Sequence, residues 1–306
     1  RAGSKPRRPS TPARSGRPVR LQCTTEARHA QAGGDWRDAY LTAGFSHVDF
    51  MYEPEAAALA AAPLDKGKLG LIIDIGGGTS DFSVFERNGD QTRIIASHGV
   101  RVGGTDFDKS ISLAQVMPLL GRGAEIGNEM GKGTHTAPAS IYNDLASWEK
   151  IPFLYTPENR RMTAQFQKLG VDPTLFKRLH DTIDMEMGHD IAFAVEAGKI
   201  RANVPDADQS AIDLRTIERD LWAQMGPNDL SQILSPHAET VRQAALQTLV
   251  DAQLAPNDIG QIVFVGGSSL MHVIIEAMTD LFPDATLERT EAFTAVADGL
   301  AIAASR

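Results

Sequence analysis

The sequence predicts an α/β fold, and three observations carry that expectation. Residues 69–86 read as two β-strands joined by the glycine turn Gly76-Gly77-Gly78. Gly103-Gly104 and Gly266-Gly267 each follow a strand-like run and precede a helical one. Long stretches of helical period separate these units. At 306 residues the chain exceeds one compact core, so two lobes or subdomains are expected.

Taken in order, residues 1–20 carry seven basic side chains (Arg1, Lys5, Arg7, Arg8, Arg14, Arg17, Arg20), no acidic one and few apolar ones. Burial there cannot offset chain entropy, so 1–44 reads as a basic, largely disordered segment with one helix near 36–43. Residues 45–52 alternate as a strand, and Glu53-Pro54 ends it. The alanine-rich run 55–62 favours helix. Leu69, Leu71, Ile72, Ile73 and Ile75 suit a buried strand, with Phe82 and Val84 on its hairpin partner.

The three glycines between these strands are free to adopt positive φ and to approach a ligand closely. Successive N–H groups in such a turn can form an anion-binding concavity. Asp74 before the turn, and Thr79 and Asp81 after it, offer oxygens suited to Mg²⁺ and its waters. The plain alternative is a hairpin turn in which glycine only relieves strain.

A strand over 93–102 is expected next, then a helix with Thr105 as N-cap and Asp106 and Asp108 at its positive end. Residues 117–138, punctuated by Gly and Pro, read as a loop-rich insertion. Helices are expected at 140–149 and 159–169. Residues 172–203 read as a long amphipathic helical stretch, capped by Asp172 and open to a break at Gly188 or Gly198, which weaken it. A short strand at 211–214 precedes helices at 216–225 and 229–254. The run 259–265 is a buried strand, followed by a helix at 270–282, a strand near Thr286 and a final helix at 292–304.

Composition narrows the function classes. A net charge of −9 argues against general nucleic-acid binding, although the basic residues are concentrated at the start. A lone cysteine, Cys23, leaves no internal disulfide and fits a reducing, cytoplasmic setting. No apolar run approaches the ~20 residues of a membrane helix. The basic start lacks the apolar stretch of a secretory leader. Eight scattered histidines offer no metal-binding pair. Ser268-Ser269 lacks the frame of a nucleophile elbow. Gly131-Lys132-Gly133-Thr134 lacks the upstream glycine of a phosphate loop and reads as a flexible loop.

Four motifs occur in a fixed order: Glu53-Pro54-Glu55-Ala56-Ala57-Ala58, Asp74-Ile75-Gly76-Gly77-Gly78-Thr79-Ser80-Asp81, Gly103-Gly104-Thr105-Asp106-Phe107-Asp108 and Val263-Phe264-Val265-Gly266-Gly267-Ser268-Ser269. In this order the chain resembles the nucleotide-binding domain of heat-shock chaperone ATPases, with the actin-like ATPase (ribonuclease-H-like) fold. The strings Arg101-Val102-Gly103-Gly104-Thr105-Asp106 and Met117-Pro118-Leu119-Leu120-Gly121 look closest to YegD-type chaperone-like proteins. The resemblance covers roughly residues 45–306.

The resemblance implies ATP and Mg²⁺ as ligands and slow transfer of the γ-phosphate to water. It implies that Asp74 holds the ion's hydration shell and that Gly76, Gly77, Gly78 and Thr79 wrap the β- and γ-phosphates. Glu53 would position the attacking water or a cation. Gly103 and Gly104 would lie near phosphates or ribose. Glu196 and Lys199 would touch ribose and adenine, and Gly266, Gly267 and Ser268 would floor the adenosine site. It further implies a lobe remnant and crossing helix at 45–68, a nucleotide-binding subdomain at 69–103 and 226–290, a helical insertion at 104–225, and a helix returning to the first lobe at 291–306.

The chain departs from this pattern in three ways. The family's first aspartate–glycine hairpin and catalytic lysine precede the Glu-Pro motif by over a hundred residues, whereas 52 residues precede Glu53 here and lack that motif. A truncated first lobe is therefore expected, with weakened hydrolysis and an apolar patch at Val296, Leu300 and Ile302 open to self-association. Leu270 and Ile200 stand where the family places arginines against adenine, so base stacking should differ. No β-sandwich or lid follows the final helix, so client binding of the usual kind is not expected, and any client or co-chaperone is unnamed. Two other classes fit the superfold: a non-catalytic actin-like assembly module, and a sugar or carboxylate kinase, for which no substrate-facing base is evident.

Overall fold

A computed structural model of the chain describes residues 19–22, 33–45, 47–65, 67–89, 91–204, 210–289 and 294–305. The expectations for residues 1–18, Cys23 and the first residues of the final helix lie outside these. In chain order the elements are β1 (Val19–Gln22), α1 (Gly33–Thr42), β2 (Val48–Met51), α2 (Glu53–Ala60), β3 (Leu69–Ile75), β4 (Ser80–Asn88), β5 (Gln91–Val100) and α3 (Gly104–Ile111). Then come β6 (Glu125–Gly127), β7 (Thr134–Thr136), α4 (Ala139–Leu145), α5 (Pro157–Leu169), α6 (Pro173–Asp184) and α7 (Gly188–Ala202). The last are β8 (Ala211–Asp213), β9 (Trp222–Gln224), α8 (Pro227–Ala252), β10 (Ile259–Val265), α9 (His272–Leu281), β11 (Thr286–Arg289) and α10 (Ala295–Ala304).

The central sheet has the order β11-β10-β3-β4-β5. β11, β10 and β3 run parallel, whereas β3, β4 and β5 form an antiparallel meander. Period-two alternation divides the strands between two faces. Leu71, Ile73, Ile75, Phe82 and Val84 join the large core under α3, α8 and α9. Ile72, Phe85, Val263 and Val265 pack instead against Ala57, Ala58 and Ala61 of the α2 segment and Ala295 of α10. Small residues let α2 and α10 cross closely; a Cβ on Gly299 would overlap the Ala56 carbonyl oxygen.

Several expectations need correction. Val19 and Arg20 lie in β1, which pairs in parallel with β2; a four-residue strand whose ladder partner is 29 positions on has no local pattern to betray it. The loop-rich reading of 117–138 gives way to a 3-10 turn and the β6–β7 hairpin. Asn128 closes that hairpin, its amide donating to Gly133 O and its Nδ2 donating to Lys132 O, so the glycine–lysine stretch is a hydrogen-bonded turn. The helical stretch expected over 172–203 breaks at the first of its two weak points, Gly188, into α6 and α7, with Glu186 in the left-handed region (φ 57°) between them, and runs unbroken through Gly198. Tyr155 holds the break: its hydroxyl donates to Glu186 O at 3.0 Å and accepts from the Gly188 amide at 3.0 Å.

The helix expected at 216–225 is instead a turn and strand β9, paired with β8. There Leu221, Ala223 and Met225 are buried at alternate positions, a period of two that a helical reading overlooks. The exposed patch expected on the final helix is also not seen. Val296, Leu300 and Ile302 are half-buried, because α10 packs on α2 and touches β1. Among the described residues no helix is long and apolar enough to cross a membrane.

Candidate functional site: a glycine turn backed by carboxylates

The β3–β4 turn is closed by the Gly76 amide, which donates to Thr79 O at 2.9 Å. Residues 76–79 are exposed, and no acceptor among the described residues takes the amides of Gly77, Gly78 or Thr79. None of these glycines has positive φ, contrary to expectation. Their value is open space: a Cβ on Gly77 or Gly78 would meet nothing within 4 Å.

The start of α3 fixes this turn. The Gly104 amide donates to Gly76 O (2.9 Å), and the Thr105 amide and hydroxyl both donate to Gly77 O (2.7 and 2.8 Å). Thr105 is therefore not the N-cap. Gly103 holds that position, its amide donating to Asp106 Oδ2 at 2.9 Å. Gly103 and Gly104 are buried, and their amides are engaged within the protein, so they buttress the turn. A Cβ on Gly103 would lie 2.6 Å from the Gly77 carbonyl carbon and oxygen, and one on Gly104 would overlap Ser268 Oγ.

The third glycine motif closes on the same place. Register pairs Asp74 with Val265, which puts Gly266 beside the end of β3. Gly266 adopts φ +80°, and a Cβ there would overlap Ile75 O and lie 2.9 Å from Asp74 Oδ1. Ser269 Oγ donates to Gly266 O at 2.6 Å and holds the turn that carries Gly267 and Ser268. Gly76 to Thr79, Gly103, Gly104, Gly266 and Ser268 are thus brought together.

Asp74 and Asp81 are directly opposed across the hairpin, on the sheet face covered by α2. Glu53 enters the same face from the first turn of α2. Together they line one side of a cavity of about 600 Å³ that also touches Ile72, Ser83 and His98. Burial, then the neighbouring charges of Glu53 and Asp81, push the Asp74 carboxyl up to about 6. Burial also raises Asp81, opposed by a hydrogen bond from Thr79. Carboxylates crowded so close favour a cation between them and a phosphate. Among the described residues no three His, Cys, Asp or Glu side chains are grouped so as to hold a metal ion directly.

Glu196 and Lys199 lie on α7, which crosses α3. Glu196 is exposed beside Thr105 in a shallow cleft. Lys199 is 5% exposed and forms an ion pair with Asp108, Nζ to Oδ1 at 2.8 Å. Burial raises the Asp108 carboxyl and Lys199 opposes the rise. Lys199 therefore fastens α7 to α3, a role that only the tertiary structure exposes. Lys199→Met is expected to cost about 3 kcal/mol in urea unfolding at pH 7.5, with most of it regained in Lys199→Met/Asp108→Leu. A single variant as stable as the parent would remove this role.

Two family models match the chain. One described as MreB/Mbl protein matches residues 34–115, and one described as Hsp70 protein matches residues 181–305. Neither spans half of the chain. Among curated relatives, the chaperone protein DnaK of Cenarchaeum symbiosum is 42% identical over 79 residues, 24% of this chain and 12% of that protein. The cell shape-determining protein MreB of Escherichia coli K12 is 37% identical over 76 residues, 24% of this chain and 21% of that protein. The chaperone protein DnaK of Thermosipho melanesiensis is 41% identical over 78 residues, 13% of its length. The matched stretch spans between about an eighth and a fifth of these relatives. Both families have the actin-like ATPase fold, and the mixed sheet described above is that fold in this chain.

Proposed function

We propose that this chain of actin-like ATPase fold binds Mg-ATP in a chaperone-like protein of the YegD type, with weak hydrolysis to ADP and phosphate. The observation behind this is the convergence of three separate glycine motifs on one exposed turn at the end of the hairpin that carries the opposed carboxylates Asp74 and Asp81. Amides of residues 77–79 would receive the terminal phosphates. Asp74 would accept hydrogen bonds from the waters of the ion, which supplies neutralisation of phosphate charge. Glu53 would orient the attacking water. Gly103 and Gly104 would hold the turn, Glu196 would meet the ribose, with Lys199 fixing its helix, and Gly266, Gly267 and Ser268 would floor the nucleoside. The subdomain division at 69–103 with 226–290 and at 104–225 belongs to the same proposal.

Calorimetric titration with Mg-ATP at pH 7.5 tests it. Saturable binding that is lost in Asp74→Ala is the expected result; absence of heat from a folded chain would contradict it. The MreB/Mbl match, which includes the hairpin, favours a second reading as an actin-like assembly module. Pelleting of the chain in Mg-ATP, without phosphate release, would support that reading.

A further inference from the structure

Helix α7 is apolar on two opposite sides. Ile191, Val195, Gly198 and Ala202, spaced by four, three and four, are buried against the core and Ile212 of β8. Phe193, Ala197, Ile200 and Val204 repeat that spacing two residues further on, which turns them by about 200° to the far side of the helix. Val204 lies just past the end of α7, where its amide donates to Arg201 O at 3.3 Å. Phe193, Ile200 and Val204 are each more than half exposed. Trp148, also exposed, begins the 3-10 turn at 148–154 and extends the line at its other end. Its ring meets Phe193 edge-on at 5.2 Å and His189 at 4.7 Å. A helix apolar on opposite sides belongs between two layers, and among the described residues only its inner side is covered.

The border of this outer stripe is acidic. Glu149 follows Trp148, and Asp190 lies one turn before Phe193; both are exposed, and neither forms an ion pair among the described residues. The basic side chains of the same two elements are engaged elsewhere. Lys150 pairs with Asp144 (2.8 Å), Lys199 pairs with Asp108 (2.8 Å), and Arg201 donates to Ala211 O (2.9 Å). A net charge of −9 makes a second copy of the chain a poor occupant.

We infer that this stripe docks an amphipathic helix of another protein, one whose apolar row is bordered by lysine or arginine. Spacings of four, three and four are those at which one helix receives the side chains of another. Exposed aromatic and aliphatic anchors would supply the contact, and the acidic border would select the sign of the partner's charge. The inference does not depend on the nucleotide reading.

The test is fluorescence anisotropy with two dye-labelled 21-residue peptides. Both carry leucine at helical a and d positions; the remaining positions are mainly lysine in one and mainly glutamate in the other. The lysine peptide is expected to bind the parent saturably, and the glutamate peptide at least about thirtyfold more weakly. Phe193→Ser/Ile200→Ser, and separately Glu149→Lys/Asp190→Lys, should each weaken the lysine peptide by at least about tenfold with Tm unchanged. Val250→Ser, on the exposed side of α8, should leave it unaltered. No binding of the lysine peptide, equal binding of the two peptides, or equal weakening by Val250→Ser would overturn the inference. So would a dimer of the parent in sedimentation that Phe193→Ser/Ile200→Ser dissolves, which would assign the stripe to a second copy.

Discussion

Asp74→Asn is expected to abolish Mg-nucleotide binding and, above pH 6, to make the fold more stable. Asp74 is opposed by Asp81 across the hairpin and approached by Glu53 from α2. Burial and those charges raise its carboxyl from 3.8 to about 6. The folded chain therefore holds this proton more tightly than the unfolded chain does. Stability falls as pH rises from about 4 to about 6 and is flat with respect to this group above that. The full shift corresponds to about 3 kcal/mol, which partial exposure reduces to about 2. An uncharged isostere should recover it, raising Tm by about 4 °C at pH 7.5. At pH 4 variant and parent should melt together. Nucleotide affinity of the parent should also weaken about tenfold per pH unit below 6, because the cation's waters need the ionised carboxylate. A stability gain that persists at pH 4, or unchanged binding in the variant, would refute this account of Asp74.

The second large effect is expected from Gly103→Ala, set beside Gly78→Ala. Gly103 has an extended backbone, φ −157° and ψ −168°, that alanine adopts without strain. Its requirement for glycine is tertiary: the added Cβ would lie 2.6 Å from the Gly77 carbonyl and 2.7 Å from the Gly78 nitrogen, all of it backbone. The turn must move to admit it. Overpacking of this kind costs about 2–3 kcal/mol, and the displaced amides should lose at least about tenfold in nucleotide affinity. At Gly78 the Cβ meets nothing within 4 Å and φ is not positive, so Gly78→Ala should unfold within about 0.5 kcal/mol of the parent. It should nonetheless lose nucleotide, because a methyl group enters the space intended for phosphate. Equal stability of the two variants would contradict the buttress. Full nucleotide affinity in Gly78→Ala would contradict the phosphate site.

What was legible in the sequence depended on how local its cause was. β3 and β10 are apolar runs ended by glycine, and both are found with the expected limits. The order of the glycine motifs pointed to one fold, and the MreB/Mbl and Hsp70 matches support that fold. Features made by distant partners were not legible. Gly188 marked a weak point between α6 and α7, but not the hydroxyl of Tyr155, over thirty residues earlier, that holds the break there. Thr105 looks like a cap because hydroxyls at helix starts usually are; here it is taken by Gly77 O. Lys199, which the resemblance implies would touch ribose and adenine, is buried in an ion pair with Asp108. Its missed cue was position: Val195, Gly198 and Ala202 are all buried, and Lys199 lies within that face.

The amide resonances of Gly77, Gly78 and Thr79 in the ¹⁵N-labelled chain, followed during titration with a non-hydrolysable Mg-ATP analogue, test the central claim most directly. All three are expected to shift saturably and together, with the same apparent Kd as calorimetry. Saturable binding that leaves these three amides unmoved would place the phosphates elsewhere and contradict the account.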